Sequence, residues 1–308
     1  MRNVYISDCL LLLVAFMWGA TFVVVQQAVA IMAPFAFNGV RFAVAALFLF
    51  VWIVCFYPHL LAELNRTLLF NGMMLGFWLF AGYALQTFGL LYTTSSKSAF
   101  LTGLSVALVP IFTWLLFKQK IQWPAAFGIA LATVGLFFMT SFGTGALNLG
   151  DVLSFFCAIG FAVHIILTGR YTSRHSALLL TLMQIATVAV LNCLFAVGFG
   201  SGSLAELPVQ LVDPKVWGAI VFTAVGATAV AYLAQTSLQK YTPPSHVALI
   251  FTMEPVFAAL TAYIGTGEPL TGRTMIGGLL IFLGMILVET RVKRLPWLKR
   301  SANRSIHS

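Results

Sequence analysis

One glutamate, Glu254, stands in the middle of the apolar run HVALIFTMEPVFAALTAYIG. An ionised carboxylate at the centre of a hydrocarbon layer costs about 2.5–3.5 kcal/mol on insertion scales, so the position suggests a use: carrying a coupling proton or binding a substrate amine. The structural alternative is a protonated acid, or one paired with a cation or with a backbone donor freed near Pro255. Arg41 lies about a quarter of the way into another apolar run. There it can snorkel to headgroups at the outer surface, form a structural salt bridge, or hold a substrate carboxylate. His164 sits deeper in its own run, with His246 at the start of a further one. His164 is either a proton-sensitive or substrate-contacting group or an interhelical histidine satisfied by hydrogen bonds.

A three-residue spacing occurs twice, in Tyr83 with Gln86 and in Tyr232 with Gln235. Residues three apart share a helix face, so each pair offers a phenol and an amide together, either to a cavity or as interhelical glue. Trp18 and Thr21 share a face in the same way, while Trp78 and Trp114 suit packing or lipid-facing positions. Of the eleven prolines, only Pro110 and Pro255 fall in the interior of apolar runs, away from their ends. Each removes one backbone hydrogen bond, to Val106 and Phe251 respectively, and kinks its helix. Such a kink is a hinge beside a cavity or a packing feature. Gly72 and Gly76 form a GxxxG pair that permits close helix approach within the bundle.

The elements that position these groups follow from composition. The chain has 308 residues, 60% hydrophobic and 8% charged, with mean hydropathy +0.98; a soluble fold needs about a quarter of its residues charged. Most of the surface must therefore meet lipid. Apolar segments run near 8–30, 35–57, 68–91, 97–117, 122–140, 151–170, 176–199, 215–238, 245–265 and 272–290. Each is long enough to cross roughly 30 Å of hydrocarbon as a helix and too long for a barrel strand. The expectation is an all-α integral membrane protein with ten transmembrane helices. The stretch 200–214 is expected to be an extramembrane loop. The N-terminus mimics a signal peptide, but its apolar character continues through Val29, as a retained first span would.

The net charge of +9 fits this topology. With both termini in the cytoplasm, Arg2, Arg66, Lys118, Lys120, Arg170, Arg174, Lys240 and six tail residues (Arg291, Lys293, Arg294, Lys299, Arg300 and Arg304) fall inside. Lys97, Lys215 and Arg273 fall outside. That is the bias expected of cytoplasmic loops, and it points to a multi-pass protein of the cell (inner) membrane whose basic tail, 291–308, lies on anionic lipid. Nucleic acid is not implied. Cys9, Cys55, Cys157 and Cys193 sit in apolar runs without CxxC spacing, which points to buried small hydrophobes and to neither a metal nor a disulfide framework. No cofactor is indicated.

Comparing the chain with itself at an offset of 149 pairs Tyr83 with Tyr232, Gln86 with Gln235, Thr87 with Thr236 and Tyr92 with Tyr241. The same offset continues through Gly128 with Gly277 and Gly135 with Gly284; ahead of the 200–214 loop it is 143, pairing Asp8 with Asp151. Residues 1–145 and 146–290 thus read as two five-helix repeats. An odd number of spans inverts the second repeat, the construction of many secondary transporters.

The opening DCLLLLVAFMWGATFVVVQ, the RFAVAA stretch from Arg41, YTTSSKSAFLTG from Tyr92, Glu254–Pro255 and the Gly-rich last helix from Gly277 resemble, in order and spacing, the EamA-type transporters of the drug/metabolite transporter superfamily. The resemblance covers residues 8–290. It implies ten helices around a central cavity lined by the first, third, fourth, sixth, eighth and ninth, in a carrier that often exports amino acids or other small metabolites by alternating access. The substrate-binding candidates are then Trp18, Thr21, Tyr83, Gln86, His164, Tyr232 and Gln235, with Glu254 as coupling or amine-binding group, Arg41 as charge-pair candidate and Pro110 and Pro255 as hinges. The partners implied are the lipid bilayer, a small molecule and a coupling proton. Import or exchange of another solute, or a channel, are the alternatives. The chain lacks HExxH, P-loop and GxSxG motifs and paired midplane aspartates, which argues against an intramembrane enzyme.

Overall fold

The structure, a computed structural model, describes residues 2–118, 123–139, 148–199, 207–267 and 270–292. The basic tail from 293 and the first part of the 200–214 loop lie outside the described residues. In hydrocarbon a backbone N–H has no solvent partner, and the described residues are accordingly helical, with no strand among them.

The first half comprises α1 (Arg2–Val29), α2 (Pro34–Phe56), α3 (Arg66–Gly89), α4 (Ser95–Gly103), α5 (Ser105–Phe117) and α6 (Trp123–Met139). The second comprises α7 (Leu149–Tyr171), α8 (Ala177–Phe199), the short α9 (Leu207–Val212), α10 (Pro214–Val221), a π-helical stretch Phe222–Val230, α11 (Ala231–Leu238), α12 (Pro244–Phe251), α13 (Glu254–Thr266) and α14 (Gly272–Val292). Thus α9 occupies part of the segment expected to be only a loop.

Among the described residues, eight helical stretches are long and apolar enough to cross a membrane: Ile6–Val29, Pro34–Phe56, Arg66–Gly89, Lys97–Phe117, Leu149–Tyr171, Ala177–Gly198, Pro214–Leu238 and Pro244–Gly265. Within the expected fifth and tenth spans the apolar helices are shorter, Ala126–Phe138 and Gly272–Gly284.

Polar residues mark the helix ends. Asn65 caps α3 by accepting from Leu68 N at 2.9 Å, and Asn148 with Asp151 forms a reciprocal capping box on α7, each satisfying donors that begin a helix without a partner. At the far ends of α5 and α13, Lys118 and Gly267 take left-handed conformations with φ of 55° and 73°. These two positions are also 149 apart.

Small residues set how closely the helices approach. A methyl on Gly135 would lie 2.6 Å from the Gly277 carbonyl oxygen, and one on Gly284 would lie 2.7 Å from that of Gly128. The two members of each glycine pair thus swap roles across the α6–α14 contact. The GxxxG pair does the same work between α3 and α8, where a methyl on Gly72 would lie 2.4 Å from Met183 Cβ and one on Gly76 2.4 Å from Thr187 Cβ. Gly76→Ala is expected to lower the thermal midpoint in detergent by several degrees: overpacking a closed contact costs about 1–3 kcal/mol, more than alanine's helix propensity returns. Gly218→Ala, where a methyl meets nothing within 4 Å, is the control and is expected to raise it.

The cysteines correct an expectation. Among the four, only Cys157 is buried, whereas Cys9, Cys55 and Cys193 are exposed. Lipid is as apolar as the bundle interior, so an apolar run does not say which way a small thiol points.

Candidate functional site

At the centre of the bundle a constricted cavity of about 50 Å³ is lined by side chains from α1, α2, α3, α4, α5, α7, α11, α12 and α13. On the scale of one probe sphere per water, that is room for a few water molecules. Trp18 is held from α1 by its indole, which donates to the Ala227 carbonyl at 2.8 Å, and its ring lies 5.0 Å from Tyr232 and 4.9 Å from Phe251. Thr21 donates to Trp18 O at 2.7 Å and faces the same space. The acceptor Ala227 lies in the π-helical stretch, a backbone form that often occurs at functional sites.

Arg41 is 1% exposed and lines this cavity. Its Nε donates to Thr228 Oγ1 at 2.8 Å, its guanidinium lies 5.0 Å over the Tyr83 ring, and Nη2 approaches Tyr83 OH at 3.5 Å. The snorkelling and structural salt-bridge readings therefore fail: depth along α2 suggested the surface, but the side chain turns inward, and the ion pairs among the described residues are Lys97–Asp151 and Asp8–His246. Tyr83 and Tyr232 meet across the cavity, Tyr232 OH donating to Tyr83 OH at 3.0 Å.

Gln86 donates to Thr102 Oγ1 at 3.3 Å. Gln235 donates to Gln239 Oε1 at 3.2 Å, leaving its own carbonyl oxygen without a partner. His164 Nε2 meets Gln184 Oε1 at 2.7 Å and Thr168 Oγ1 at 3.4 Å, and Gln184 in turn donates to Thr236 Oγ1 at 3.1 Å. His164 thus borders the cavity while held in an interhelical chain. Glu254, half-buried, also faces the cavity, and no hydrogen bond or ion pair to its carboxyl occurs among the described residues.

Glu254 begins α13, immediately after an interruption. Thr252 N and Met253 N reach back only three residues, to Leu249 O and Ile250 O, both at 3.1 Å. The counterpart lies between α4 and α5, where Leu104 N bonds Leu101 O at 3.2 Å and Ala107 N bonds Leu104 O at 3.0 Å. The first residues after the two breaks, Ser105 and Glu254, are 149 apart. A methyl on Gly103 would lie 3.3 Å from Pro255 Cγ, so the interrupted helices touch at their breaks. Pro255 coincides with its interruption, because its ring excludes the carbonyl four residues back. Pro110 does not: α5 runs unbroken through it, and the break lies more than a turn earlier.

The whole constellation is that of a cavity among apolar helices with polar and ionisable groups on its wall. The EamA-like transporter family model matches the chain twice, over residues 5–141 and 148–290. The chain belongs to the EamA-like transporter family. It is accordingly a multi-pass membrane transporter. An uncharacterized transporter of Archaeoglobus fulgidus is 36% identical to this EamA-like chain over 286 residues, 93% of this chain and 86% of the relative. The uncharacterized transporter YyaM of Bacillus subtilis is 26% identical over 304 residues, 96% and 95% of the two. A solved crystal structure, 16% identical, shares the fold with a TM-score of 0.76 over 94% of this chain and 99% of its own.

All nine polar and aromatic candidates, from Trp18 to Glu254, line the one cavity. Sequence reasoning missed Thr102, Ser105, Phe161 and Phe251 on its wall, and the Thr228 and Gln184 partners that hold Arg41 and His164. Ser105 was within reach: the 149 offset that matches the tyrosines places it opposite Glu254.

Proposed function

We propose that this chain is a secondary carrier that exports a small metabolite bearing an anionic and a cationic group, amino acids among them, by alternating access. One observation carries the reading: a guanidinium and a carboxyl, neither with an ionic partner among the described residues, line the same cavity. Two uncompensated ionisable groups inside a membrane are costly, and a ligand carrying the complementary charges would offset both. Arg41 would take the anionic end by a fork of N–H donors and Glu254 the cationic end or a coupling proton. The indole of Trp18 and the two phenols would close on the body of the solute.

A cavity of about 50 Å³ is too small for such a solute. Loading therefore widens it, and the Tyr83–Tyr232 hydrogen bond is the contact that must part. The framework of this reading is ten spans in two inverted repeats, 1–145 and 146–290, a basic tail at 291–308, and both termini cytoplasmic in the inner membrane. It is supported by the double family match and by paired breaks, caps and glycines at one offset. Export is the direction the family resemblance favours.

Counterflow in proteoliposomes against a mixed metabolite pool read by mass spectrometry is the test. Transient accumulation of a charged small solute above its equilibrium level is expected. Flux that only equilibrates, unaffected by unlabelled solute on the far side, would make the protein a pore.

A further inference from the structure

The ion pair Lys97–Asp151 joins the start of the fourth span to the start of the sixth. Lys97 Nζ lies 2.6 Å from Asp151 Oδ2, Thr93 Oγ1 donates to Asp151 Oδ1 at 2.8 Å, and Asn148 N donates to Oδ2 at 3.1 Å. Gln26 and Ser95, hydrogen-bonded to each other, buttress the same corner, Gln26 also reaching Thr93 O at 3.4 Å. It is a fully satisfied clasp between the two halves of the chain.

The offsets that match the halves carry this clasp onto a second corner. Thr93 maps to Thr242, Lys97 to His246 and Asp151 to Asp8. The structure brings Asp8 and His246 together as well, but unsatisfied: His246 Nε2 lies 3.4 Å from Asp8 Oδ1, with Thr242 four residues earlier in the bend that leads into α12. Both Asp8 oxygens, Thr242 Oγ1 and His246 Nδ1 are buried without a hydrogen-bond partner. Thr242 and His246 are 3% and 6% exposed. Gly169 stands where Gln26 would stand, so the buttress is missing too. Four orphaned polar atoms at one corner would be a serious loss unless a ligand supplies the missing charge, and the matching corner identifies that charge: an ammonium on one side, an imidazole on the other.

We propose that Asp8, Thr242 and His246 form a proton-binding site, separate from the cavity, whose occupation closes a clasp between the two halves of the chain. A proton taken from solution makes His246 an imidazolium. Its Nε2–H then pairs with Asp8 Oδ1, while the Thr242 hydroxyl donates to the other carboxylate oxygen, as Thr93 does to Asp151. Imidazole is the side-chain type that takes up or releases a proton within the physiological range, whereas the matching corner is closed by an ammonium. The placement of the two corners on opposite membrane faces rests on the ten-span carrier reading; the proton site does not.

Other charged groups on the elements around α12 are accounted for. On α1 the charged residues are Asp8 and Arg2, whose side chain is outside the described ones, and α6 has none. Arg170 on α7 is exposed with its guanidinium 5.0 Å over Phe117; Lys118, after α5, is exposed and lies over Trp114; Lys240 in the preceding loop is exposed. On α14, Arg273 lies at the opposite end, and the side chains of Glu289 and Arg291 are outside the described ones.

Thermal unfolding of the detergent-solubilised full chain between pH 8 and pH 5.5 tests this without requiring flux, so it is independent of whether the carrier reading holds. The ion pair exists only when the imidazole is charged, so acidification is expected to raise the wild-type midpoint, by about 3 °C for a pair of ordinary strength. His246→Gln and Asp8→Asn are expected to lose that rise. His246→Lys, which copies the other corner, is expected to sit at the higher midpoint at both pH values. Either histidine variant suffices if the other fails to fold. A rise of wild-type size in His246→Gln or His246→Lys would overturn the proposal, and so would an equal rise produced by sodium at pH 8.

Discussion

Arg41→Leu is expected to lower counterflow by about 100-fold while leaving the protein more stable. The loss follows from removing a charge-assisted, forked contact to the solute's anionic end, which contributes about 1.5–3 kcal/mol, and each 1.4 kcal/mol is tenfold in binding. The stability gain follows from the other half of the geometry. Arg41 is 1% exposed and, among the described residues, has Thr228 but no carboxylate to hold it, and exchanging an uncompensated buried charge for an apolar side chain of similar size commonly stabilises. Arg41→Lys keeps the charge and loses the planar fork and the Nε bond, so about tenfold loss is expected. Counterflow and thermal midpoints on the same preparations decide the matter: a leucine variant with wild-type counterflow would remove Arg41 from the binding site.

Glu254→Gln separates coupling from binding. The amide keeps the shape of the acid and cannot carry an exchangeable proton. If Glu254 carries the coupling proton, a gradient of one pH unit supports about tenfold accumulation in the wild type. The variant is expected to equilibrate its solute and go no further. Exchange of labelled against unlabelled solute, measured with no gradient, should continue. Should exchange fail along with accumulation, the carboxyl binds the solute's cationic end instead; a variant that still accumulates with wild-type pH dependence would sink the assignment of Glu254 as the proton site. The carboxyl has no hydrogen bond among the described residues, so neither result would reflect loss of a structural partner.

Hydropathy marked the eight long helical stretches, because runs of about 20 apolar residues have few other ways to satisfy their backbones, but it did not mark the short α9. The offset of 149, read from Tyr83, Gln86 and their partners, extends to features no propensity would indicate: the breaks before Ser105 and Glu254 and the left-handed caps at Lys118 and Gly267. What stayed illegible is helix rotation. In a soluble protein the polar face declares itself; here lipid and interior are equally apolar, so Arg41 read equally as a headgroup, salt-bridge or substrate contact, and Cys9, Cys55 and Cys193 read as interior residues. The depth of Arg41 along α2 was readable, but its direction was set by Thr228, which belongs to the other half of the chain. Pro110 misled for a related reason: its ring clash is accommodated inside α5, while the interruption falls at Leu104 beside Gly103, where the other broken helix leans in.

That contact, Pro255 seated on Gly103, makes the two interrupted helices share one fulcrum. In the alternating-access carrier proposed above, a bend at either break would displace the other, so its two entrances would be geared together, one narrowing as its opposite widens. Geared entrances would protect the membrane itself: a state open at both ends would short-circuit the ion gradient of the cell, and a shared pivot would disfavour that state. Widening Gly103 with a side chain would act on this gearing, and its signature would be a change in electrical leak, a property of the membrane and not of the solute.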